Sequence, residues 1–161
     1  MRVESVERAR AALDRVLDPE VPVLSIAELG ILRDVAIEDG TVVVTVTPTY
    51  SGCPAMHAIG AEIVSALREA GFDQVQVRTV HAPAWTTDWI GEPARAKLRA
   101  YGIAPPGEAA PVALGPTRRT VPCPSCGSAD TTVVSDFGAT ACKSLHRCRS
   151  CRQPFEHFKP F

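Results

Sequence analysis

Six cysteines, and the residues spaced around them, carry the chemistry open to this sequence. Four fall into two pairs, Cys123-Pro-Ser-Cys126-Gly and Cys148-Arg-Ser-Cys151-Arg, with twenty-one residues between the pairs. Each pair can turn two thiolates towards one ion, and four thiolates close a tetrahedron. The spacing therefore predicts a structural zinc held by Cys123, Cys126, Cys148 and Cys151, with no position left for a catalytic water. A segment of about forty residues buries too little apolar surface to fold alone, whereas a structural zinc contributes on the order of 10 kcal/mol. Residues 121–161 thus read as a zinc ribbon. Cys142 is left over, as a buried thiol or as a competing ligand that would admit iron in place of zinc.

Cys53 stands apart, in Thr47-Pro-Thr-Tyr-Ser-Gly-Cys-Pro54. Gly52 permits a tight turn and Pro54 suits the first position of a helix, where a missing N–H costs nothing. Cys53 is then expected at or beside a helix N-cap, where the positive end of the helix dipole favours the thiolate and makes a metal ligand or a nucleophile. A buried thiol in a strand-to-helix turn is the other reading of the same residue. No histidine and acid around Cys53 complete a hydrolase triad; His57, one helical turn on, and His81 are the available bases. Asp18 and Glu20 flank Pro19 in a turn, where acids are commonly solvated.

The elements that must position these groups follow from periodicity. Val6, Ala9, Leu13, Val16 and Leu17 recur at helical spacing, predicting an amphipathic helix over 4–17 that stops at Asp18-Pro19. Ser25 with Glu28 forms a capping box for a short helical turn ended by Gly30. Residues 31–38 and the valine-rich run 41–46 flank Asp39-Gly40, a two-residue hairpin signal. A main helix over 54–70 presents Met56, Ile59, Ile63, Val64 and Leu67 on one stripe, and 74–80 alternates as a third strand. Trp85 and Trp89 sit in a loop and read as a hydrophobic lid over the sheet, and a short helix over 92–100 lies between Pro93 and Gly102. The fold class is α/β: a small mixed sheet covered by helices over 1–102, a Pro/Ala-rich linker over 103–120, and the zinc ribbon over 121–161.

Length and composition agree with one ordinary domain plus a small one. The hydrophobic fraction of 45% and charged fraction of 22% are those of a soluble globular chain. No stretch approaches a membrane span and the first residues lack a signal-peptide core, so a cytoplasmic location without membrane contact is expected. In that compartment six cysteines point to metal or redox chemistry rather than to disulfides. Residues 1–116 hold ten Lys and Arg against fifteen Asp and Glu, whereas 117–161 hold seven against three. The basic tail could meet an acidic protein or nucleic acid through Arg118, Arg119, Arg147, Arg149 and Arg152. Without interleaved aromatics over a sheet, nucleic acid ranks low.

Asp18-Pro19-Glu20, Ile26 with Leu29-Gly30, and the strand running into Thr47–Pro54 resemble the iron–sulfur assembly proteins of the MIP18 or DUF59 type. The closer similarity is to the D-component proteins of phenylacetyl-CoA epoxidase (ring 1,2-phenylacetyl-CoA monooxygenase) systems, in which that domain precedes a zinc ribbon. It is carried by Pro83-Ala-Trp-Thr-Thr-Asp-Trp89, Phe137-Gly-Ala-Thr-Ala-Cys-Lys-Ser-Leu145, Arg147-Cys148 and Pro154-Phe155, and it covers nearly all of the chain but the linker. The ending Phe158-Lys-Pro-Phe161 departs from relatives that carry a further cysteine there, so no role of that thiol is transferred. The resemblance implies a non-catalytic accessory protein of phenylacetate catabolism that assists iron–sulfur cluster assembly or insertion. Its partners would be the epoxidase subunits, above all the iron–sulfur reductase subunit that feeds electrons to the di-iron epoxidase. It also implies that Cys53 is the ligand of a transient iron–sulfur cluster, with Asp18 and Glu20 as neighbours in the cofactor-binding site. One cysteine cannot complete a cluster site, so a homodimer or a partner's cysteines would supply the rest. The competing classes are an adaptor that binds an oxygenase or nucleic acid through the ribbon, and a thiol-dependent enzyme using Cys53.

Overall fold

A computed structural model describes residues 2–107 and 120–161. The chain divides by compactness into two units, residues 1–85 and 86–161.

In the first unit, α1 (Arg2–Leu13) is followed by the hairpin of β1 (Leu32–Glu38) and β2 (Thr41–Val46), then α2 (Ala55–Glu69) and β3 (Val75–Thr79). The sheet order is β1-β2-β3, with β1 and β2 antiparallel and β2 and β3 parallel. A parallel pair cannot be joined by a tight turn, and α2 is the crossover that joins this one. Asp39 and Gly40 both take positive φ, 48° and 83°, the backbone of a primed two-residue hairpin turn. Val42, Val43, Val44 and Val46 are all buried, as a central strand covered on both faces requires. Ile59, Ile63 and Leu67 carry the buried stripe of α2, while Met56 and Val64, expected on that stripe, are only half-buried. Trp85 is buried and its Nε1–H donates to the Leu29 carbonyl at 2.9 Å, which satisfies its one polar atom.

The first helix is shorter than the sequence period suggests. It ends at Leu13, and Leu17 instead bridges Ser25 as an isolated antiparallel pair. The cause is Asp18. Its Oδ1 accepts the backbone N–H groups of Glu20 at 2.7 Å and Val21 at 2.8 Å, and the residue is only 5% exposed. This turn draws Val16 and Leu17 out of the helix: the Val16 carbonyl accepts the Ile26 N–H and the Asp18 N–H donates to Leu24. The capping box after it forms in both directions, from Ser25 N–H to Glu28 Oε2 and from Glu28 N–H to Ser25 Oγ.

The second unit opens with a 3-10 turn at Thr87–Trp89 and α3 (Glu92–Tyr101), which ends on Gly102 in the left-handed conformation. Its sheet has the order β4-β7-β6-β5, from β4 (Ile103–Ala104), β5 (Thr131–Ser135), β6 (Lys143–Cys148) and β7 (Pro154–Phe158). β5, β6 and β7 are antiparallel neighbours, and β4 adds in parallel to β7. Ile103 and Ala104, read from the sequence as the start of a linker, are therefore a buried strand of the ribbon sheet. Their partners Glu156 and His157 lie more than fifty residues away, beyond the reach of any local signal. The rest of the expected linker, residues 108–119, lies outside the described residues. Arg95 ties this unit together through carbonyls, donating from Nε to Ile90 at 2.9 Å, from Nη2 to Thr87 at 3.0 Å, and from Nη1 to Pro106. Among the described residues no helix is long and apolar enough to cross a membrane.

Candidate functional site

The ribbon cysteines sit on two turns of like design. Gly127 donates its N–H to the Cys123 carbonyl at 2.8 Å and takes φ 72°, which folds the first pair back on itself. In the second pair Cys148 N–H donates to Gln153, and Arg152 holds φ 65° in the position that Gly127 fills in the first. A 2.7 Å hydrogen bond between the Ser128 and Ser150 hydroxyls fastens one turn to the other. The four sulfurs all lie within 4.8 Å of one another, with Cys123 to Cys151 at 3.7 Å and Cys126 to Cys148 at 3.6 Å. Four sulfurs about 2.3 Å from one tetrahedral ion would stand roughly 3.8 Å apart, whereas a disulfide needs about 2.05 Å. The donor set fits a single metal ion and not a pair of disulfides.

The electrostatics agree. The Cys148 thiol is pulled down to about 6, first by the Cys151 backbone N–H, which reaches its sulfur at 3.4 Å, against the opposing effect of burial. Cys151 is pushed up to about 12: the Gln153 backbone N–H favours its thiolate, but burial and the neighbouring sulfurs of Cys148, Cys126 and Cys123 outweigh it. Burial raises the Cys123 thiol, yet donors from Cys126 and Ser125 bring it below the ordinary value. Sulfurs this close cannot all ionise by themselves, and a cation among them removes the conflict. Around the site Val121, Ala104 and Phe155 pack with Cys123, Cys148 and Cys151 into the small core of the unit. Cys142 lies outside the group of four; it is buried, with its sulfur 3.1 Å from Thr140 Oγ1.

Two further features of this unit were not anticipated from the sequence. Lys143 is buried and its Nζ contacts Glu156 Oε2 at 2.7 Å. Ser144 Oγ lies 2.9 Å from His146 Nε2 and 3.5 Å from His157 Nδ1, a buried polar cluster. Burial holds His157 down to about 4, with the charges of His146 and Lys159 acting in the same direction. The alternation Ser144, His146, Cys148 places these side chains on one face of β6, which is the pattern that could have revealed them.

In the first unit the Cys53 loop is built by a turn and a helix start. The Tyr50 carbonyl accepts the Cys53 N–H at 3.2 Å across Gly52, whose φ of 79° belongs to a tight turn that asks for glycine. Pro54 already has helical angles, and the Cys53 carbonyl accepts the Met56 N–H at 3.3 Å, so Cys53 lies at the N-terminal entry of α2 and is half-buried. Thr47, which opens the loop, is buried and its Oγ1 has no hydrogen-bond partner among the described residues. His57 and His81 are exposed. Met56 and His57 begin an open groove of about 710 Å³ that continues along α2 through Gly60, Ala61 and Val64 to Val77 of β3.

Asp18 faces a different part of α2. It lines a cleft of about 460 Å³ with Pro19, Pro22, Glu62, Ser65 and Glu69. At 1.5 Å per residue, positions 62–69 lie about 10 to 21 Å along the helix axis from its start at Ala55. The carboxylate is thus a buried, turn-forming group, where a solvated acid was expected, and the cleft it lines reaches the far half of α2. Glu20 is half-buried in the same turn.

Both halves of the chain match known families. A family described as iron–sulfur cluster assembly protein matches residues 7–80, and one described as the PaaD zinc beta ribbon domain matches residues 107–159. An Escherichia coli (strain K12) protein, provisionally named as the D component of 1,2-phenylacetyl-CoA epoxidase, is 51% identical over 151 residues, 92% of this chain and 89% of that one. The chain belongs to the iron–sulfur assembly family, in its zinc-ribbon branch. A Bacillus subtilis (strain 168) relative, the Fe-S protein maturation auxiliary factor YitW, is 36% identical over 94 residues, 57% of this chain and 91% of that one. A DUF59 domain from Bacillus anthracis, known from a crystal structure, superposes with a TM-score of 0.56 at 26% identity, over 60% of this chain and 93% of that one. The family domain alone is thus nearly the whole of the shorter relatives, and the ribbon is what this branch adds.

Proposed function

We propose that this protein is a non-catalytic accessory factor that assists assembly or insertion of an iron–sulfur cluster in a phenylacetyl-CoA epoxidase system. The observation that carries the reading is the Cys53 loop. A half-buried thiol at the entry of α2 is set in a domain whose stand-alone relative is named a maturation factor. A thiolate there can take a soft metal or cluster and release it, because one protein ligand does not close the coordination shell. The remaining ligands would come from a second copy or from the client, for which the iron–sulfur reductase subunit is the proposed candidate.

Asp18 and Glu20 enter as positioning residues of the turn they build, with Cys53 the group offered to the cluster. Zinc is the proposed ion of the ribbon, where Cys123, Cys126, Cys148 and Cys151 would hold it as a structural element. The working organisation is an assembly domain at the N-terminal end, a ribbon over 121–161 whose sheet β4 (Ile103–Ala104) joins, and a linker between β4 and the ribbon, the protein acting in the cytoplasm. Replacing the chromosomal copy by Cys53→Ala tests the role. The expected result is a reductase subunit poor in iron and sulfide while the variant itself accumulates as folded protein. A fully loaded reductase in those cells would overturn the proposal.

A further inference from the structure

The second cysteine turn differs from the first in one respect that metal binding does not require. Pro124 and Gly127 of the first turn correspond to Arg149 and Arg152 of the second. Arg152 stands at φ 65°, a backbone conformation that glycine holds without steric cost and a side chain does not, and Gly127 holds the matching conformation at 72°. Metal binding by the four thiolates does not itself call for a side chain at this position. Arg152, Arg149 and Arg147 line one cleft of about 340 Å³ with Thr132 and Cys148. The register of the sheet builds it: Thr132 of β5 and Arg147 of β6 are cross-strand partners, and the 2.8 Å hydrogen bond from Arg149 N–H to the Asp130 carbonyl holds the turn against β5. All three arginines are exposed, and among the described residues neither Arg147 nor Arg152 has an ion-pair partner.

We propose that this cleft is a carboxylate-binding site by which the ribbon docks an acidic segment of a partner protein. Guanidinium groups match carboxylate and phosphate alike, and two observations favour the carboxylate. Asp130 Oδ1 already stands 3.8 Å from Arg149 Nη1, a loose contact at 60% exposure of both side chains, so the guanidinium groups of the cleft already meet one carboxylate at its rim. Among the described residues no aromatic side chain lines the cleft for a base to stack on. The docking role is independent of Cys53.

The test uses the full-length, zinc-loaded protein and a fluorescent hexaglutamate peptide at low salt, with hexaglutamine and a short DNA duplex as comparators. Binding to hexaglutamate that weakens with salt, and weakens about tenfold in the Arg147→Gln/Arg149→Gln/Arg152→Gln variant, is expected from the loss of three exposed ion pairs together. Arg152→Gly is the sharper variant: it should raise the thermal midpoint of the ribbon by removing the strained side chain and still weaken the peptide. Equal peptide affinity in wild type and triple variant would overturn the site. Tighter binding of the duplex than of the peptide would overturn the carboxylate assignment.

Discussion

Removing the Asp18 carboxylate should unfold the first unit far more readily than its place in a surface-looking turn suggests. Oδ1 accepts two backbone N–H groups, at 2.7 and 2.8 Å, and the residue is 5% exposed. A hydrogen bond to a charged group is worth about 1.5–3 kcal/mol, and its loss leaves the donor buried and unpaired. Asp18→Ala should therefore cost about 3–5 kcal/mol. Asp18→Asn keeps an acceptor of the same shape but loses the charge, and should cost about half as much. For a unit of some 85 residues, each kcal/mol shifts the midpoint by about 4–8 °C, so Asp18→Ala should melt at least about 12 °C lower. Trp85 is buried in this unit, so its fluorescence in a Trp89→Phe background reports the transition during urea or thermal unfolding. A change for Asp18→Ala within about 0.5 kcal/mol of wild type, the level of an ordinary surface substitution, would refute the turn-forming role.

Two further outcomes follow from the ribbon. Stripping the metal with a strong chelator, or replacing Cys148 by Ala, should unfold β5, β6 and β7 while leaving the hairpin of the first unit folded, because the core around the four cysteines is small; amide exchange would show this strand by strand, and protection of β6 in the chelated protein would contradict it. His157, held down to about 4 by burial, binds its proton more readily when unfolded, at about 6.5. Its contribution to stability is complete above pH 6.5 and is lost as the pH falls towards 4, on the order of 2–3 kcal/mol in all. Wild-type protein should therefore lose stability relative to His157→Phe, which has no ring to protonate, as the pH falls from 7 to 5; a difference in urea midpoints that stays constant over that range would count against it.

The hairpin at Asp39-Gly40, the helix entry at Pro54 and the paired cysteines were all legible in the sequence, because each depends on residues close together in the chain. Glycine at a left-handed position, proline at a helix start and thiols at metal spacing act locally. Legibility failed where the deciding contact was distant or the environment reversed the usual behaviour of a residue. Ile103 and Ala104 sit in a proline-rich stretch and look like linker, yet they become a strand because β7 presents a free edge to them. Val16 and Leu17 keep the helical period, but the bonds accepted by Asp18 and by the Val16 carbonyl end the helix early. Asp18 itself looks like a solvated turn acid, and only burial shows otherwise. The partial exposure of Met56 and Val64 could not be read either, since a stripe of five apolar residues does not say which of them the sheet will cover.

The central claim is that Cys53 carries an iron–sulfur cluster in transit beside a ribbon that holds a structural metal. Metal and acid-labile sulfide analysis of protein purified without oxygen, for wild type and Cys53→Ala, tests it most directly. About one zinc per chain is expected in both proteins, from the four-thiolate site, and iron with sulfide in the wild type only. Iron and sulfide retained in Cys53→Ala, or absent from both proteins, would contradict it.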